Sequence, residues 1–407
     1  MKKILVSAYG CEPFRGSEAG VGWNWILQMA QENKLYVIAR ANDQKKIETY
    51  LPKKIENNVT FFYYDTCDLL KKVKKKDKGL YLYYCFWQIG IIPLVRKIIK
   101  KYNPDYTMHL TFGSLWMPTF LPFFKTKFIW GPIGGGDGVP KSYLKELPTK
   151  QRIVQTARYF LMGTSFLNPL VFIPSKKAEV ILCRTKNNIE ALPKKYQNKA
   201  RVILETAMDQ SEFEKIEITK RNNENVIKII STGRLVPFKN IIMGLKVIKK
   251  IIDDGYEIEY TIIGDGPEKN RLKKLVKNLD IEKNVNFIGQ LDRNKVLKYL
   301  KNSDIYLFPS LREGGSWALM EAMSSGLPVI CFNWTGSGEI TDDKSAIRIT
   351  PSKMSEDIDA FYNALKEMID NPQKRMEYGV NAKERIERVF NWNIKGQFME
   401  KIFEEIK

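Results

Sequence analysis

Two glutamates flank a glycine-bearing turn in the second half of the chain. Glu313 precedes the run Gly-Gly-Ser, and Glu321 follows it among alanine and methionine residues. The apolar pattern predicts a strand that ends near Phe308 and a helix that begins about Ser316. The first N–H groups of a helix and its positive dipole end attract phosphate. At ~1.5 Å per residue Glu321 lies roughly 7 to 8 Å along the axis, so the two carboxylates can address opposite ends of a phosphate-containing ligand.

Two cations follow another predicted strand. That strand ends at Thr232, and Gly233, Arg234 and Lys239 lie on the loop that leads into the next helix. A guanidinium and an ammonium group five residues apart on such a loop suit a diphosphate. A surface loop with two unrelated cations explains the same residues equally well. We expect Lys239 and Glu313 both to lie on exposed loops.

Glycine-containing loops follow other predicted strands. Gly266 belongs to a Gly-Asp-Gly-Pro turn that lets backbone approach a ligand, although a plain turn explains it as well. In the first half, Gly16 and Ser17 lie in a glycine-punctuated loop at residues 11–23 that enters a helix. Residues 333–339 form another loop of small residues, which either covers the same pocket or only turns the chain.

The elements that position these residues alternate between short apolar runs and amphipathic segments, which predicts parallel sheets covered by helices. The predicted strands of the first half are residues 4–7, 35–39, 60–64, 106–110, 128–130 and 180–183. Those of the second half are residues 227–232, 260–263, 285–288, 305–308 and 329–332. Ligands of open α/β sheets bind beyond the carboxyl ends of the strands, where all the residues above are found.

The series of strands starts again near residue 226, after a polar segment at residues 214–225 that reads as a linker. At 407 residues the chain is long enough for two ordinary domains. We therefore expect an α/β protein with a first Rossmann-like domain at residues 1–213 and a second at residues 226–390. The two doubly wound domains are expected to face each other across a cleft, and a helix at residues 391–407 to pack towards the N-terminal domain.

The net charge of +20 predicts attraction to an anionic partner, either a nucleotide, a nucleic acid or a membrane surface. The basic residues 71–78 precede an aromatic run at residues 81–87, which suits a membrane surface but also fits a solvated loop before a core helix. Five widely spaced cysteines predict neither a disulfide framework nor a zinc cluster. We expect a cytoplasmic protein, either soluble or peripheral at the inner face of the membrane.

The motifs together resemble the family-four retaining glycosyltransferases of GT-B fold. The resemblance rests on Gly-Arg-Leu-Val-Pro-Phe-Lys-Asn at residues 233–240, Gly-Asp-Gly-Pro at 264–267, Val-Asn-Phe-Ile-Gly at 285–289, and Pro-Ser-x-x-Glu-Gly leading to Glu-Ala-Met-x-x-Gly-x-Pro-Val-Ile at 309–330. Their order and spacing hold over residues 226–332.

The resemblance implies a site for a nucleotide diphosphate sugar in the second domain. Arg234 and Lys239 would hold the diphosphate, Glu313 the transferred sugar and Glu321 the ribose. His109, the single histidine of the chain, resembles the histidine of the family that lies near the transferred sugar, although an isolated histidine is more often structural. The implied catalytic residues are His109, Glu313, Arg234 and Lys239. The implied donor-binding residues are Gly16, Ser17, Gly233, Arg234, Lys239, Gly266, Glu313, Gly314, Gly315, Ser316, Trp317 and Glu321.

Two departures from the family pattern stand out. The family commonly has Gly-Phe-Gly after the first glutamate, where this chain has Gly314, Gly315 and Ser316. Many relatives carry Asn-Gly-Val-Asp where this chain has Glu-Thr-Ala-Met-Asp at residues 205–209. The first departure bears on the identity of the donor, and the second on the role of that segment.

The expected activity is transfer of a hexose-type sugar, with retention, from a UDP- or GDP-sugar to a glycan or lipid-linked acceptor of the cell envelope or an exopolysaccharide. No metal and no cofactor are expected, and no Asp-x-Asp pair follows a predicted strand. A nucleotide-sugar epimerase of the same fold is the alternative enzyme, and a basic nucleic-acid-binding protein is the alternative of another class. A nicotinamide oxidoreductase is disfavoured because no complete Gly-x-Gly-x-x-Gly follows a strand. We expect no nucleic acid among the partners.

Overall fold

The structure is a computed structural model that describes residues 1–67, 79–209 and 226–406. The predicted linker at residues 214–225 and the basic residues 71–78 lie outside the described residues. The chain forms two compact units, each built around one parallel sheet.

The first sheet has seven strands in the order β3-β2-β1-β4-β5-β6-β7, and every pairing is parallel. The strands are β1 (Lys3–Ser7), β2 (Lys34–Arg40), β3 (Val59–Tyr64), β4 (Tyr106–His109), β5 (Lys127–Ile133), β6 (Ala178–Cys183) and β7 (Ala200–Val202). The central strands are buried on both faces, which is why they read as continuous apolar runs. The order 3-2-1-4-5-6 is that of a doubly wound Rossmann sheet.

Helices occur between the strands of this part of the chain. They are α1 (Ser17–Met29), α2 (Gln44–Tyr50), α3 (Lys53–Glu56), α4 (Leu80–Gly90), α5 (Ile92–Tyr102), α6 (Thr149–Gly163), α7 (Pro169–Lys177) and α8 (Lys186–Glu190). Most of α6 belongs to the second unit. Short 3₁₀ turns occur at Ala41–Asp43, Leu121–Phe123, Lys141–Glu146, Ser165–Leu167 and Lys194–Lys199.

The second sheet has six parallel strands in the order β10-β9-β8-β11-β12-β13. They are β8 (Ile227–Thr232), β9 (Ile258–Ile263), β10 (Val285–Gly289), β11 (Ile305–Phe308), β12 (Val329–Phe332) and β13 (Ala346–Ile349). This is again the 3-2-1-4-5-6 order. The predicted fold class of two Rossmann-like doubly wound sheets is therefore confirmed, and each predicted strand is present.

The second sheet is covered by a further set of helices. They are α9 (Ile241–Asp253), α10 (Lys269–Asn278), α11 (Arg293–Lys301), α12 (Trp317–Ser324), α13 (Thr335–Ile340), α14 (Met354–Asp370) and α15 (Pro372–Val389), with a 3₁₀ turn at Pro237–Lys239. Helix α9 shows how the sequence fixes this layer. Its apolar residues recur at helical spacing, so that Ile241, Leu245, Ile248 and Ile251 are buried in the core of the second unit.

The boundaries of the compact units differ from the predicted domain limits at two places. The first unit comprises residues 1–136, 161–205 and 392–407, and the second comprises residues 137–160 and 206–391. Residues 137–160 join the second unit because Val139, Tyr143 and Leu147 are part of its core. The Tyr143 hydroxyl also donates a hydrogen bond of 2.6 Å to Asp357 Oδ2, and residues 206–208 pack against α12.

The last helix, α16 (Trp392–Glu405), belongs to the first unit. It packs against α1, where the rings of Trp25 and Trp392 lie 6.0 Å apart. Glu400 accepts hydrogen bonds from Lys2 Nζ at 3.2 Å and from Asn33 Nδ2 at 2.5 Å. These contacts tie the end of the chain to the beginning of the first sheet.

Within the described residues, one stretch has the length and composition of a membrane-crossing helix, at Leu80–Tyr102. In the structure it is divided into α4 and α5. Tyr83, Tyr84 and Trp87 of α4 are buried in the core of the first unit, and Val95 of α5 is buried there as well. The aromatic run predicted for a membrane surface therefore supplies core residues on one face of its helix.

Candidate functional site

Four loops meet at the carboxyl edge of the second sheet, where the order of strands reverses between β8 and β11. They follow β8, β9, β10 and β11, as expected for the ligand edge of such a sheet. A cavity of about 390 Å³ opens among them. Its lining residues are Thr232, Gly233, Arg234, Ile263, Gly264, Asp265, Gln290, Leu291, Val296, Ala318 and Glu321.

Glu313 lies on the loop after β11 at this edge and is held from several sides. Its side chain is 9% exposed, and Oε1 accepts hydrogen bonds from Lys239 Nζ at 2.5 Å and from the Ser310 hydroxyl. Its backbone N–H donates to Thr335 Oγ1 at 3.0 Å. The expectation that Glu313 and Lys239 lie on exposed loops is therefore wrong, because the two side chains pair and shield each other.

Arg234 and Lys239 both line a small cavity at this edge, and Arg234 also lines the large cavity together with Glu321. Lys239 Nζ lies 5.2 Å from the centre of the Phe308 ring, and the residues of its 3₁₀ turn lead directly into α9. Arg234 is exposed, and no ion pair joins its guanidinium to an acidic residue in the part of the chain that the structure describes. Thr232, Gly233 and Arg234 line both the large cavity and a small one that Lys239 closes. The two cations therefore stand side by side and can share one anionic ligand.

The loop after β11 leads into helix α12, whose start lies at the same carboxyl edge of the second sheet. Ser316 is the N-cap residue, and its hydroxyl accepts a hydrogen bond of 3.4 Å from the Leu319 N–H. Trp317 Nε1 donates to the carbonyl of Ala207 at 3.1 Å, which fixes the first turn. The N–H groups of the first turn and the dipole of α12 make this helix end attractive to phosphate.

The two segments that depart from the family pattern, residues 314–316 and 205–209, pack against each other at Gly315. A Cβ atom on Gly315 would lie 2.1 Å from Thr206 Oγ1, closer than two such atoms ever approach. Thr206 therefore fills the space beside the loop, and a large side chain at residue 315 is excluded. The segment at residues 205–209 is thus packed against the Glu313 loop.

The loop at residues 333–339 braces Glu313. Besides the bond from Glu313 N–H to Thr335 Oγ1, the Gly336 N–H donates to the Glu313 carbonyl at 3.0 Å. Trp334 Nε1 donates to the Gly138 carbonyl at 2.8 Å, which anchors this loop in turn. None of residues 333–339 lines either of the two cavities at this edge, so the loop holds the backbone of Glu313, and its role as a cover of the pocket stays a prediction.

Glu321 lies at the far end of the cavity and is paired with a residue that the sequence analysis missed. Arg293 Nε donates to Glu321 Oε1 at 2.5 Å. Arg293 is the first residue of α11 and follows the loop after β10. For the other loops, the residues directly after a strand were taken as candidates. The same rule applied to the loop after β10 points to Gln290 and Leu291, and both line the cavity.

Tyr306 on β11 is hydrogen-bonded to the end of β8. Its hydroxyl and Thr232 Oγ1 are 2.8 Å apart, and burial raises the pKa of Tyr306, so its phenol remains protonated. Gly266 packs closely against the carbonyl group of Leu235, on the loop that carries Arg234 and Lys239. It is not among the residues that line the large cavity.

The remaining predicted site residues lie in the first unit, at the carboxyl edge of its own sheet. Gly16 is the N-cap of α1, which begins at Ser17. His109 ends β4 and is 1% exposed, with Nε2 3.5 Å from the Tyr84 hydroxyl. Burial lowers the pKa of His109 to about 4, so its imidazole is neutral at physiological pH. Its predicted contact with a sugar stays a prediction.

An ion pair that the sequence analysis missed ties the loops of the first unit together. Glu18 Oε1 accepts hydrogen bonds from Arg184 at 3.1 Å and from the Gly113 N–H at 3.1 Å. Arg184 also pairs with Glu205 at 3.3 Å. These bonds join the start of α1 to the loops after β4 and β6.

Residues 212–385 match the sequence model of the family described as glycosyl transferases group 1. This match spans the loop that carries Arg234 and Lys239, both glutamates and α12. Residues 212–385, less than half of the chain, are therefore similar to the group 1 glycosyl transferases.

Curated glycosyltransferases are similar to part of the chain. An uncharacterized glycosyltransferase of Methanocaldococcus jannaschii is 28% identical over 60% of this chain and 65% of its own length. The UDP-Gal:alpha-D-GlcNAc-diphosphoundecaprenol alpha-1,3-galactosyltransferase of Escherichia coli is 31% identical over 43% of this chain and 46% of its own length. The aligned region is thus less than two thirds of either relative.

The likeness of fold extends over the whole chain. The structure of Anabaena HepE in complex with UDP has a TM-score of 0.59 and 14% identity, and the comparison covers 100% of both chains. At this identity the similarity is one of fold, which is the GT-B fold of two Rossmann-like domains.

Proposed function

We propose that this chain is a group 1 glycosyl transferase that moves a hexose-type sugar from a UDP- or GDP-sugar to a glycan or lipid-linked acceptor. The observation that carries the proposal is the line formed by Glu313, Lys239, Arg234 and Glu321 around the start of α12. A diphosphate at the two cations would place a sugar beside Glu313 and a ribose beside Glu321. The UDP-linked sugar named for the galactosyltransferase relative and the UDP bound to HepE support a nucleotide donor.

The chemistry follows from charge. When the bond between sugar and diphosphate breaks, negative charge grows on the leaving group, and preorganised cations and N–H groups stabilise it. Lys239 and Arg234 supply the cations, and α12 supplies the N–H groups. Glu313 accepts hydrogen bonds from sugar hydroxyls and orients the anomeric carbon. We infer transfer with retention, in which the leaving phosphate takes the proton of the acceptor hydroxyl that attacks from the same face.

The setting of the reaction is also a proposal. The printed acceptor of the galactosyltransferase relative is a diphosphoundecaprenol-linked sugar, which supports a lipid-linked acceptor and a role in cell-envelope or exopolysaccharide synthesis. Such an acceptor would place the enzyme in the cytoplasm at the inner face of the membrane. The proposal includes no metal, no cofactor and no nucleic acid.

The test is a screen of UDP- and GDP-sugars by thermal unfolding, because a ligand that binds only the folded state raises the midpoint. The sugar that stabilises the protein is then incubated with acceptors in the presence of a chelator, and the product is analysed by proton NMR. We expect free nucleotide diphosphate, an unchanged rate with chelator, and an anomeric configuration equal to that of the donor. An altered donor sugar without transfer would identify an epimerase instead, and loss of turnover with chelator would contradict the metal-free reaction.

Arg293 is expected to orient Glu321 for the ribose. Replacing Arg293 with alanine frees the carboxylate to rotate, so the dissociation constant of the nucleotide should rise about two- to fivefold, the worth of one exposed ion pair. Isothermal titration with the nucleotide diphosphate measures this change.

The second unit offers a matched control in Arg271. Its guanidinium is 53% exposed and pairs with Glu268, which is 13% exposed, whereas Arg293 is 48% exposed and its partner Glu321 is 13% exposed. Arg271→Ala should therefore lose the same kind of surface ion pair and leave nucleotide affinity unchanged. Equal effects of the two substitutions would show that Arg293 has no particular role at the site.

A further inference from the structure

Four charged side chains of alternating sign interact in series in the first unit. Glu18 pairs with Arg184 at 3.1 Å, and Arg184 pairs in turn with Glu205 at 3.3 Å. Burial lowers the pKa of Lys395 on α16 to about 8, and the nearby charge of Glu205 acts in the opposite direction. Glu205 and Lys395 are both buried. Glu205 therefore interacts with two cations, one of which is Arg184.

The end of β5 fixes both the backbone and the side chain of Arg184. The N–H of Arg184 donates to the Ile133 carbonyl at 2.9 Å, and its Nε donates to the Pro132 carbonyl at 3.4 Å. A Cβ atom on Gly134 would lie 3.0 Å from Arg184 Cδ, so the aliphatic part of the arginine packs over that glycine. The guanidinium group therefore has a fixed position, from which its two terminal nitrogens reach two carboxylates.

Glu18 joins two segments that carry predicted site residues. Its Oε1 accepts the bond from Arg184 and a second bond, of 3.1 Å, from the Gly113 N–H. Glu18 is the second residue of α1 and directly follows Ser17, whereas Gly113 lies on the loop that follows His109. One carboxylate oxygen therefore links the first turn of α1 to the loop after β4.

The first turn of α1 has fewer contacts with that loop than the next turn has. At the next turn, a Cβ atom on Gly22 would lie 2.0 Å from the Gly10 carbonyl oxygen and 2.6 Å from Thr111 Cγ2, so the packing there is close. The N-cap residue of α1 is Gly16, which has no side chain to hold the first turn, and residues 14–16 are exposed. The position of the first turn therefore depends on the bonds of Glu18.

We propose that Glu18 and Arg184 are positioning residues for sugar transfer, which hold the first turn of α1 beside the loop that follows His109. Arg184 acts through Glu18, and Glu205 and Lys395 act through Arg184. The inference rests on the proposed function, because the relative position of these segments affects turnover only if the chain transfers a sugar. A displacement of about 1 Å in a segment that positions a substrate can lower a rate about 10²-fold.

Glu18→Ala tests the proposal in the full chain, with the donor and the acceptor found in the screen. The first turn of α1 then loses both bonds, and kcat should fall about 10- to 100-fold, since small displacements of positioning groups have effects of this size. The dissociation constant of the nucleotide diphosphate, proposed to bind at Arg234 and Lys239, should change by no more than about threefold. Steady-state kinetics measures the rate, and isothermal titration measures the affinity.

Glu18→Gln should keep most of the activity. Both bonds end on Oε1, and the carbonyl oxygen of glutamine can accept them, so kcat should stay within about fivefold of the value for the unaltered chain. The double variant E18A/R184M should lose no more activity than E18A, because the two residues act as one unit. Additive losses in the double variant, or E18Q as inactive as E18A, would overturn the proposal.

Glu400→Ala is the matched control in the same unit. Glu400 also accepts hydrogen bonds from one cation and one amide, those of Lys2 and Asn33, and its side chain is 25% exposed against 33% for Glu18. This variant should show a fall in Tm comparable to that of E18A, with kcat unchanged. Equal losses of kcat in the two variants, or full turnover of E18A, would refute the inference alone. No transfer by the unaltered chain with any nucleotide sugar would refute the proposed function, and the inference with it.

Discussion

Replacing Lys239 with methionine is expected to lower kcat for sugar transfer by about 10²- to 10³-fold, the usual effect of removing one preorganised charge from a developing anion. Methionine keeps the length of the side chain and its apolar contact with the Phe308 ring but removes the ammonium group. The loss should appear mainly in kcat, because the charge matters most when the diphosphate leaves. Steady-state kinetics with the donor found in the screen measures it.

The ion pair with Glu313 makes a stability control necessary. Without Lys239 the buried Glu313 carboxylate keeps the Ser310 hydroxyl but loses its cation, which should cost about 2 kcal/mol of unfolding free energy. The double variant K239M/E313Q removes that unpaired charge and should regain part of the stability while remaining inactive. Lys250→Met is the matched control for activity, since Lys250 pairs with Asp359 on the surface of the same unit. Wild-type turnover in K239M would remove Lys239 from the mechanism.

Gly264→Ala is expected to destabilise the second unit by about 3 kcal/mol and to abolish nucleotide binding. Gly264 has a φ of +141°, where residues with a side chain are strained, and a Cβ atom there would lie 1.9 Å from the Gly233 carbonyl oxygen. The loops after β8 and β9 would have to separate, and both line the cavity. In a unit of this size the loss corresponds to a fall of roughly 6 to 12 °C in Tm.

Gly255 provides the comparison for this substitution. It also has a positive φ, +87°, but nothing lies within 4 Å of a Cβ atom there. Gly255→Ala therefore introduces only backbone strain and should cost about 1 to 2 kcal/mol, with nucleotide binding intact. Thermal unfolding with and without nucleotide separates the two cases. Equal losses of stability would mean that the close approach of the two loops is not what requires glycine at residue 264.

The sequence predicted the sheets well because buried parallel strands are continuous apolar runs. Strands β7 and β13 were missed because each lies at an edge of its sheet and lacks a continuous apolar run. β7 has only three residues, and its Arg201 is exposed at the edge of the sheet. β13 also lies at an edge and carries Arg348, whose charge interrupts the apolar run. Edge strands need no apolar residue on their open side, so their pattern is weak.

The local sequence pattern could not predict that residues 137–160 belong to the second unit. Tyr143 and Leu147 look like residues of any helical turn, and only their packing in the core of the second unit shows where they belong. Domain membership is a property of long-range contacts, which periodicity does not contain.

Post-strand position and the family resemblance pointed to Arg234, Lys239, Glu313 and Glu321. In the structure Lys239 pairs with Glu313, and Arg234 and Glu321 line the same cavity, while the roles assigned to these residues stay predictions. Arg293 was missed because a cation at the start of a lysine-rich helix has no distinctive spacing. The pairing of Glu18 with Arg184 was missed because 166 residues separate them in the chain. His109 is buried, with Nε2 3.5 Å from the hydroxyl of Tyr84, which lies 25 positions away in the chain.

We expect a diphosphate to bind at the start of α12 between two cations and two acids. A crystal structure with the UDP- or GDP-sugar selected by the screen would show this. The diphosphate should lie within hydrogen-bond distance of Arg234, Lys239 and the first N–H groups of α12, with the sugar at Glu313 and the ribose at Glu321. A nucleotide sugar bound elsewhere, with that place empty, would contradict it.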